Sequence, residues 1–84
     1  MNATTGHQIT AKEIREAFQI SYSKINHYTN LGLFPIVSKS GNKRLYDRQK
    51  VADRLHFILK LVEEGYPLRL IRKKLLGREE NELL

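Results

Sequence analysis

The chain has no cysteine and no tryptophan, and its 84 residues include only two prolines and one methionine. Without cysteine it can form no disulfide, no thiolate metal site and no cysteine nucleophile. No stretch approaches the run of about 20 apolar residues that crosses a membrane, and Met1–Thr10 lacks the apolar core of a signal peptide. We therefore expect a soluble, cytoplasmic protein.

Motifs for catalysis and cofactor binding are also missing. The chain has no glycine-rich phosphate loop, no paired carboxylates in an apolar setting and no Ser/His/Asp order that indicates a nucleophile. Its three histidines, His7, His27 and His56, lie on different predicted elements without the close spacing of metal ligands. We expect no enzymatic activity, no bound metal and no cofactor.

Acidic residues are scarce relative to basic ones. Nine Asp plus Glu stand against fifteen Lys plus Arg, which gives a net charge of +6 and a sequence pI of about 9.8. The length and the 40% of hydrophobic residues fit one small domain with a modest core. In so small a domain this excess favours a polyanionic partner, most often nucleic acid, over the alternative of a basic surface that meets only solvent.

The first predicted helix begins at a capping box. In Thr10-Ala-Lys-Glu13 the threonine oxygen accepts from the glutamate amide, and the glutamate side chain reaches back to the threonine amide. Ile14, Ala17 and Phe18 follow at helical spacing and form its apolar stripe. Residues 1–8 show no periodicity, and we expect them to be a flexible N-terminus.

The second predicted helix is capped by Ser21 and runs to about Leu31. At 100° per residue, Ile25, Tyr28 and Thr29 share one side. The other side carries short polar residues without acidic groups: Ser23, Asn26, His27 and Asn30. A solvated helix surface would usually carry Glu and Lys, so this composition suits a surface that makes close hydrogen bonds.

A β-hairpin is predicted after this helix. Gly32 ends the helix and Pro35 prevents its continuation. Two short β-prone runs, 36–37 and 43–46, flank a turn rich in serine, glycine and asparagine at 38–42.

Two further helices follow the hairpin. Asp47 is a favourable N-cap for a long helix over about Arg48–Glu64. Its apolar stripe comprises Val51, Leu55, Ile58, Leu59 and Val62. Pro67 opens a last short helix with an inward-facing side, and Gly77 is expected to end it. The inward-facing residues are Leu68, Ile71 and Leu75.

This order predicts a mainly α-helical winged helix-turn-helix: two short helices, a hairpin wing, then a long and a short helix. Three segments carry a more specific likeness: His27–Pro35 (HYTNLGLFP), Gly41–Tyr46 (GNKRLY) and Glu64–Ile71 (EGYPLRLI). On these residues the chain resembles the MerR family of bacterial transcription regulators over residues 9–77. The resemblance implies a DNA-binding domain without an effector domain, with residues 78–84 as a tail or the truncated start of a dimerisation helix.

Departures from the family pattern fall at the predicted DNA-binding helices. Asn26-His27-Tyr28 stands where the family usually has Arg-Tyr-Tyr, Arg15 replaces an alanine and Gln19 replaces the turn glycine. The resemblance also implies promoter distortion and an indirect link to RNA polymerase through that promoter. It implies nothing about the operator, the effector or the direction of regulation.

The candidate DNA contacts lie on three predicted elements. Asn26 can pair with the N6 and N7 edge of adenine, and Arg44, which matches the family's wing arginine, suits a bidentate grip on phosphate. Tyr28 is expected to pack near the core with its hydroxyl reaching a phosphate. Arg48 is expected at the start of a helix, where the free backbone amides can also bind a phosphate. The full set is Tyr22, Ser23, Asn26, His27, Tyr28, Lys39, Lys43, Arg44 and Arg48.

Other interpretations stay open on the sequence alone. Each candidate can be an ordinary solvated side chain. Tyr46 is expected to belong to the core, and the basic run Arg72–Lys74 is expected to be solvated surface. The whole domain can be an excisionase-like DNA-bending factor or a basic module that binds protein or RNA. A flat outward side of the second helix, joined to Arg44 by positive surface, would favour DNA. An outward side covered by the N-terminus or by a partner helix would favour the interaction module. With no apolar heptad seam after Gly77, we expect a monomer that dimerises at most on DNA.

Overall fold

The computed structural model describes residues 7–83, which form four helices and three strands. The helices are α1 (Ala11–Phe18), α2 (Tyr22–Asn30), α3 (Arg48–Glu63) and α4 (Leu68–Leu83). The strands are β1 (Gln8–Thr10), β2 (Ile36–Ser40) and β3 (Lys43–Asp47). The predicted helix-turn-helix, hairpin wing and helix pair are all present, so the predicted winged helix-turn-helix is confirmed.

The first two helices begin at the predicted caps. Thr10 Oγ1 accepts from the Glu13 amide at 3.2 Å, and Glu13 Oε1 accepts from the Thr10 amide at 2.8 Å, which completes the capping box. Ser21 Oγ accepts from the Lys24 amide at 3.1 Å. These local bonds satisfy amides that a helix start leaves unpaired, and they set where α1 and α2 begin.

The turn between α1 and α2 passes through a left-handed residue. Gln19 has φ 57° and ψ 45°, and its amide donates to the Arg15 carbonyl at 2.9 Å. Ile14 is fully buried and Phe18 is half-buried, whereas Ala17 is exposed. The apolar stripe predicted for α1 is therefore wrong at Ala17, because an eight-residue helix offers the core only a narrow side.

The wing is a three-stranded antiparallel sheet in the order β1-β3-β2. The sequence did not predict the strand β1. The flexible start predicted for residues 1–8 is wrong at Gln8, which pairs with Asp47. Residues 1–6 of that predicted segment lie outside the described part. Ile9 pairs with Tyr46 and is buried. A three-residue strand with one buried side chain has no readable period, and only its distant partner β3 defines it.

The core joins the helices to the sheet through aromatic side chains. The Phe34 ring lies edge-on to Tyr28, with centroids 5.3 Å apart, and to Tyr46, at 6.5 Å. The Tyr46 hydroxyl lies 2.9 Å from Thr29 Oγ1 on α2. Tyr46 is fully buried, as predicted, and this contact fixes α2 against the central strand.

The long helix α3 departs from its predicted stripe in its last turns. Leu59 and Val62 are exposed to 49% and 47%, while Leu61 is buried. The buried side turns towards Leu61 because α4 contacts α3 on this side, and the Leu61 carbonyl accepts from the Tyr66 amide at the turn. The predicted apolar stripe is thus wrong at Leu59 and Val62. The helix α3 ends at Glu63, and Glu64 is its C-cap.

The last helix is longer than predicted. The Pro67 carbonyl accepts from the Ile71 amide at 3.1 Å, so Pro67 stands just before the helix. Ile71 and Leu75 are buried, as expected. Gly77 was expected to end the helix, but α4 continues through it to Leu83, and this glycine is not among those with a positive φ.

Candidate nucleic-acid interface

The outward side of α2 is polar, uncharged and accessible. Ile25 and Tyr28 are buried on the opposite side, which confirms the predicted division of the helix. The exposed side carries Ser23, Asn26, His27 and Asn30. Within residues 7–77, none of these four side chains forms a hydrogen bond, so their donors and acceptors are available to an external partner.

The two tyrosines predicted as DNA contacts lie in different surroundings. Tyr22, in the first turn of α2, is 46% exposed, and the Arg15 guanidinium lies 5.3 Å from its ring centroid. Tyr28 is 4% exposed, and burial raises the pKa of its phenol. Its predicted place near the core is confirmed, whereas the reach of its hydroxyl to a phosphate stays a prediction.

The wing brings basic residues onto neighbouring positions. Lys39 on β2 pairs directly with Arg44 on β3, so the two side chains share one side of the hairpin. Lys39 and Lys43 are exposed and Arg44 is half-buried. The hairpin tip therefore carries three positive charges that lie within a few residues of each other.

A cleft of about 340 Å³ connects the wing to α2. It is lined by Thr10, Ala11, Lys12, Asn26, Asn42, Lys43 and Arg44. Asn26 from the polar side of α2 thus shares a concave surface with two cations of the wing. The cleft thus brings one polar residue of α2 and the basic residues of the wing to a common surface.

The start of α3 does not offer amides as predicted. The Arg48 amide donates to the His7 carbonyl at 3.1 Å, and the Lys50 amide donates to Asp47 Oδ1 at 3.0 Å. The prediction that this helix start supplies amides to a phosphate is therefore wrong for these two groups. The Arg48 side chain is exposed, with its guanidinium 5.5 Å from the centroid of the Phe18 ring.

Two other basic side chains support the fold. Arg54 is 6% exposed, and its Nη1 donates to the carbonyls of Leu33 at 3.1 Å and Gly32 at 3.3 Å; burial lowers the pKa of this guanidinium. Arg72 Nε donates to the Leu31 carbonyl at 2.7 Å. Arg72, Lys73 and Lys74 are exposed, as predicted for this run. The additional bond from Arg72 was not predicted, because its partner lies 41 residues away in the sequence.

Lys12 is the cleft residue that sequence reasoning missed. In the sequence it stands inside the capping box, where helix formation alone accounts for it. One signal was available, because a lysine in the first turn of a helix opposes the positive end of the helix dipole. Its position in the cleft beside Asn26 and Arg44 follows from the pairing of β1 with β3.

The described part of the chain contains neither a candidate metal cluster nor a candidate membrane span. Within residues 7–77, no three His, Asp or Glu side chains are grouped so that they could hold a metal ion. In the same part of the chain, no helix is both long enough and apolar enough to cross a membrane.

The two-helix motif, the wing and the cleft between them define a winged helix-turn-helix DNA-binding domain. A family model described as "MerR HTH family regulatory protein" matches residues 9–77. The chain therefore belongs to the MerR family and contains the DNA-binding domain of a transcription regulator. Comparison with curated proteins and with solved structures found no match.

Proposed function

We propose that the domain binds double-stranded DNA in a sequence-specific manner, with α2 in the major groove and the wing against the backbone. The observation that carries this proposal is the shared cleft, in which Asn26 of α2 and Arg44 of the wing lie on one concave surface. A helix that offers uncharged hydrogen-bonding groups beside a basic hairpin matches the division of DNA recognition into base readout and backbone positioning.

Base readout falls to the polar side of α2. Asn26 can donate and accept with adenine, while Ser23 and His27 supply further short groups on the same side. Tyr22 enters the interface from the first turn, stacked with Arg15. The contribution of these side chains depends on matching their hydrogen-bond donors and acceptors to those of the base edges.

Backbone positioning falls to the cations around the wing. Lys39, Lys43 and Arg44 reach phosphates from the hairpin, and Arg48 reaches one from the start of α3. We also propose, from the sequence, that the hydroxyl of the buried Tyr28 contacts a phosphate at the edge of α2. We further propose that the domain acts on promoters in the cytoplasm, meets RNA polymerase only through the DNA, and is a monomer that dimerises at most on DNA.

Two alanine variants separate these roles. Asn26→Ala is expected to cost about 1–3 kcal/mol on the preferred duplex and little on random DNA, where there is no matched base edge to lose. Arg44→Ala is expected to weaken both duplexes alike and to make the dependence of log K on log salt shallower by about one. Fluorescence anisotropy with the two duplexes at several salt concentrations measures both effects.

Both variants need a wild-type melting curve, since a folding defect would also weaken all duplexes. If Asn26→Ala weakened every sequence equally while Arg44→Ala changed the preferred sequence, the wing would be the specificity element. Uniform binding of any duplex with pronounced bending would favour an excisionase-like factor. Preference for RNA or for an acidic protein would favour the interaction module.

A further inference from the structure

We propose that Lys12 is a further DNA contact, and that Lys12, Lys43 and Arg44 together seat one phosphodiester of the DNA backbone in the cleft between α1 and the wing. This inference rests on the proposed function and adds to it a specific site. In this proposal α1 supports α2 and also contacts the DNA strand that runs beside Asn26.

The electrostatics of the cleft favour an anion. Three of its seven lining residues are cations, and none is acidic. Within residues 7–77, Lys12, Lys43 and Arg44 form no ion pair and no side-chain hydrogen bond. Three cationic residues line this concave surface without a counterion from residues 7–77, and a phosphodiester supplies the missing negative charge.

The carboxylate that follows Lys12 directly in the sequence is already engaged. Glu13 follows Lys12 directly, but its Oε1 accepts from the Thr10 amide at 2.8 Å as part of the capping box. Glu13 is not among the residues that line the cleft. The carboxylate of Glu13 is thus held at the helix start, away from the cleft.

The backbone fixes Lys12 beside the wing. Thr10 pairs with Leu45 in the β1–β3 ladder, and Leu45 directly follows Arg44. The chain then turns into α1 at the Thr10 cap, so Lys12 lies two residues from the sheet on a helix whose start is anchored by the capping box. Contact of α1 with both β1 and β3 holds the cleft in shape before any DNA arrives.

The position of Lys12 is unfavourable for the isolated helix. It is the second residue of α1 after the Thr10 cap, where the helix dipole favours negative charge and disfavours a lysine. No described contact offsets this cost, and a bound phosphate would. Replacing Lys12 should therefore leave the fold as stable as before or more stable, while weakening DNA binding.

The test compares Lys12→Ala with Lys60→Ala, which removes the same charge from an exposed site on α3 away from the cleft. Because one phosphate contact is lost, Lys12→Ala should bind the preferred duplex about eightfold more weakly than the wild type at about 0.1 M salt. The slope of log K against log salt should become shallower by about one. The melting temperature of Lys12→Ala should equal or exceed that of the wild type. Lys60→Ala should bind with the wild-type slope.

Neutral methylphosphonate linkages placed one at a time along the preferred duplex then locate the contact. One linkage should weaken wild-type binding and have a smaller effect on the binding of Lys12→Ala and of Arg44→Ala, each of which retains two of the three cations. Equal slopes for Lys12→Ala and Lys60→Ala would overturn this inference and leave the proposed function intact. A lower melting temperature for Lys12→Ala would also overturn it, because the lysine would then serve the fold. Wild-type binding without any salt dependence would overturn both.

Discussion

Among individual residues, Gln19 carries the clearest backbone strain. Within residues 7–83 it is the one non-glycine residue with a positive φ, at 57°. It stands at the turn of the helix-turn-helix, where its amide closes α1 by donating to Arg15. An L-residue in this region costs about 1–2 kcal/mol, and only glycine adopts it freely.

We therefore expect Gln19→Gly to stabilise the fold. Relief of the left-handed strain exceeds the cost of about 0.4–1 kcal/mol that glycine adds through the entropy of the unfolded chain, so the net gain is up to about 1 kcal/mol. Urea unfolding followed by circular dichroism measures it. Gln19→Val is the matched control and should destabilise, because a β-branched residue tolerates positive φ worst. A loss of stability in Gln19→Gly would show that the Gln19 side chain contributes more than its backbone costs.

Tyr28 gives the fold a dependence on alkaline pH. Burial raises the pKa of its phenol above the value in the unfolded chain. The unfolded chain therefore loses this proton first, so the contribution of Tyr28 is fully present below the unfolded pKa of about 10 and is lost as pH rises through the folded pKa.

Replacing this tyrosine isolates its contribution. We expect Tyr28→Phe to lose less stability than the wild type between about pH 8 and about pH 10.5, since only the wild-type phenol ionises. Urea unfolding at the two pH values gives the difference. Identical alkaline losses in the two proteins would show that Tyr28 ionises as easily in the fold as in the unfolded chain.

Among the elements, α4 shows what a glycine in a helix does to stability. Gly77 lies within α4, and a Cβ at this position would meet no atom within 4 Å. Gly65 lies between α3 and α4 with φ +95°, also with open space around it. The two glycines therefore differ in backbone conformation and not in crowding.

This pair predicts opposite effects of the same substitution. Gly77→Ala should stabilise by about 0.5–1 kcal/mol, because alanine has the higher helix propensity. Gly65→Ala should destabilise by about 1 kcal/mol or more, because alanine is strained at positive φ. Thermal unfolding by circular dichroism, with helix content read from the same spectra, measures both. A destabilising Gly77→Ala would mean that α4 ends at this glycine.

Local signals in the sequence predict most of the elements. Side-chain caps at Thr10, Ser21 and Asp47 mark the starts of α1, α2 and α3, and all three accept the expected amides. The burial of side chains along α3 could not be predicted from local signals alone. Periodicity indicates which side of α3 is apolar, but it does not indicate how far neighbouring elements cover that side, so Leu59 and Val62 were placed in the core.

The candidate site also combines features that local sequence predicts with features that depend on residues distant in the sequence. The polar side of α2 follows from helical spacing alone, whereas the cleft depends on β1, whose three residues pair with β3 more than 30 positions later. Lys12 becomes visible as a cleft residue only once that pairing is known. Arg54 and Arg72 likewise bind carbonyls at 31–33, far from them in sequence.

For the molecule as a whole, net charge overstates the charge available to DNA. Of the fifteen Lys plus Arg in the chain, Arg54 and Arg72 donate to backbone carbonyls in the fold. The cations of the wing and cleft have no such partners within residues 7–77. Binding should therefore depend on about 4–6 phosphate contacts rather than on the total charge.

The most direct test of the account is selection of duplexes from a random pool, followed by titration of the enriched duplex and a scrambled one over about 50–200 mM salt. We expect a single enriched motif that binds more tightly than the scrambled duplex at every salt concentration. For the enriched duplex, log K should fall against log salt with a slope of about −4 to −5, as expected for that number of phosphate contacts. A pool without enrichment, together with binding that does not respond to salt, would contradict the assignment of this domain as a sequence-specific DNA-binding protein.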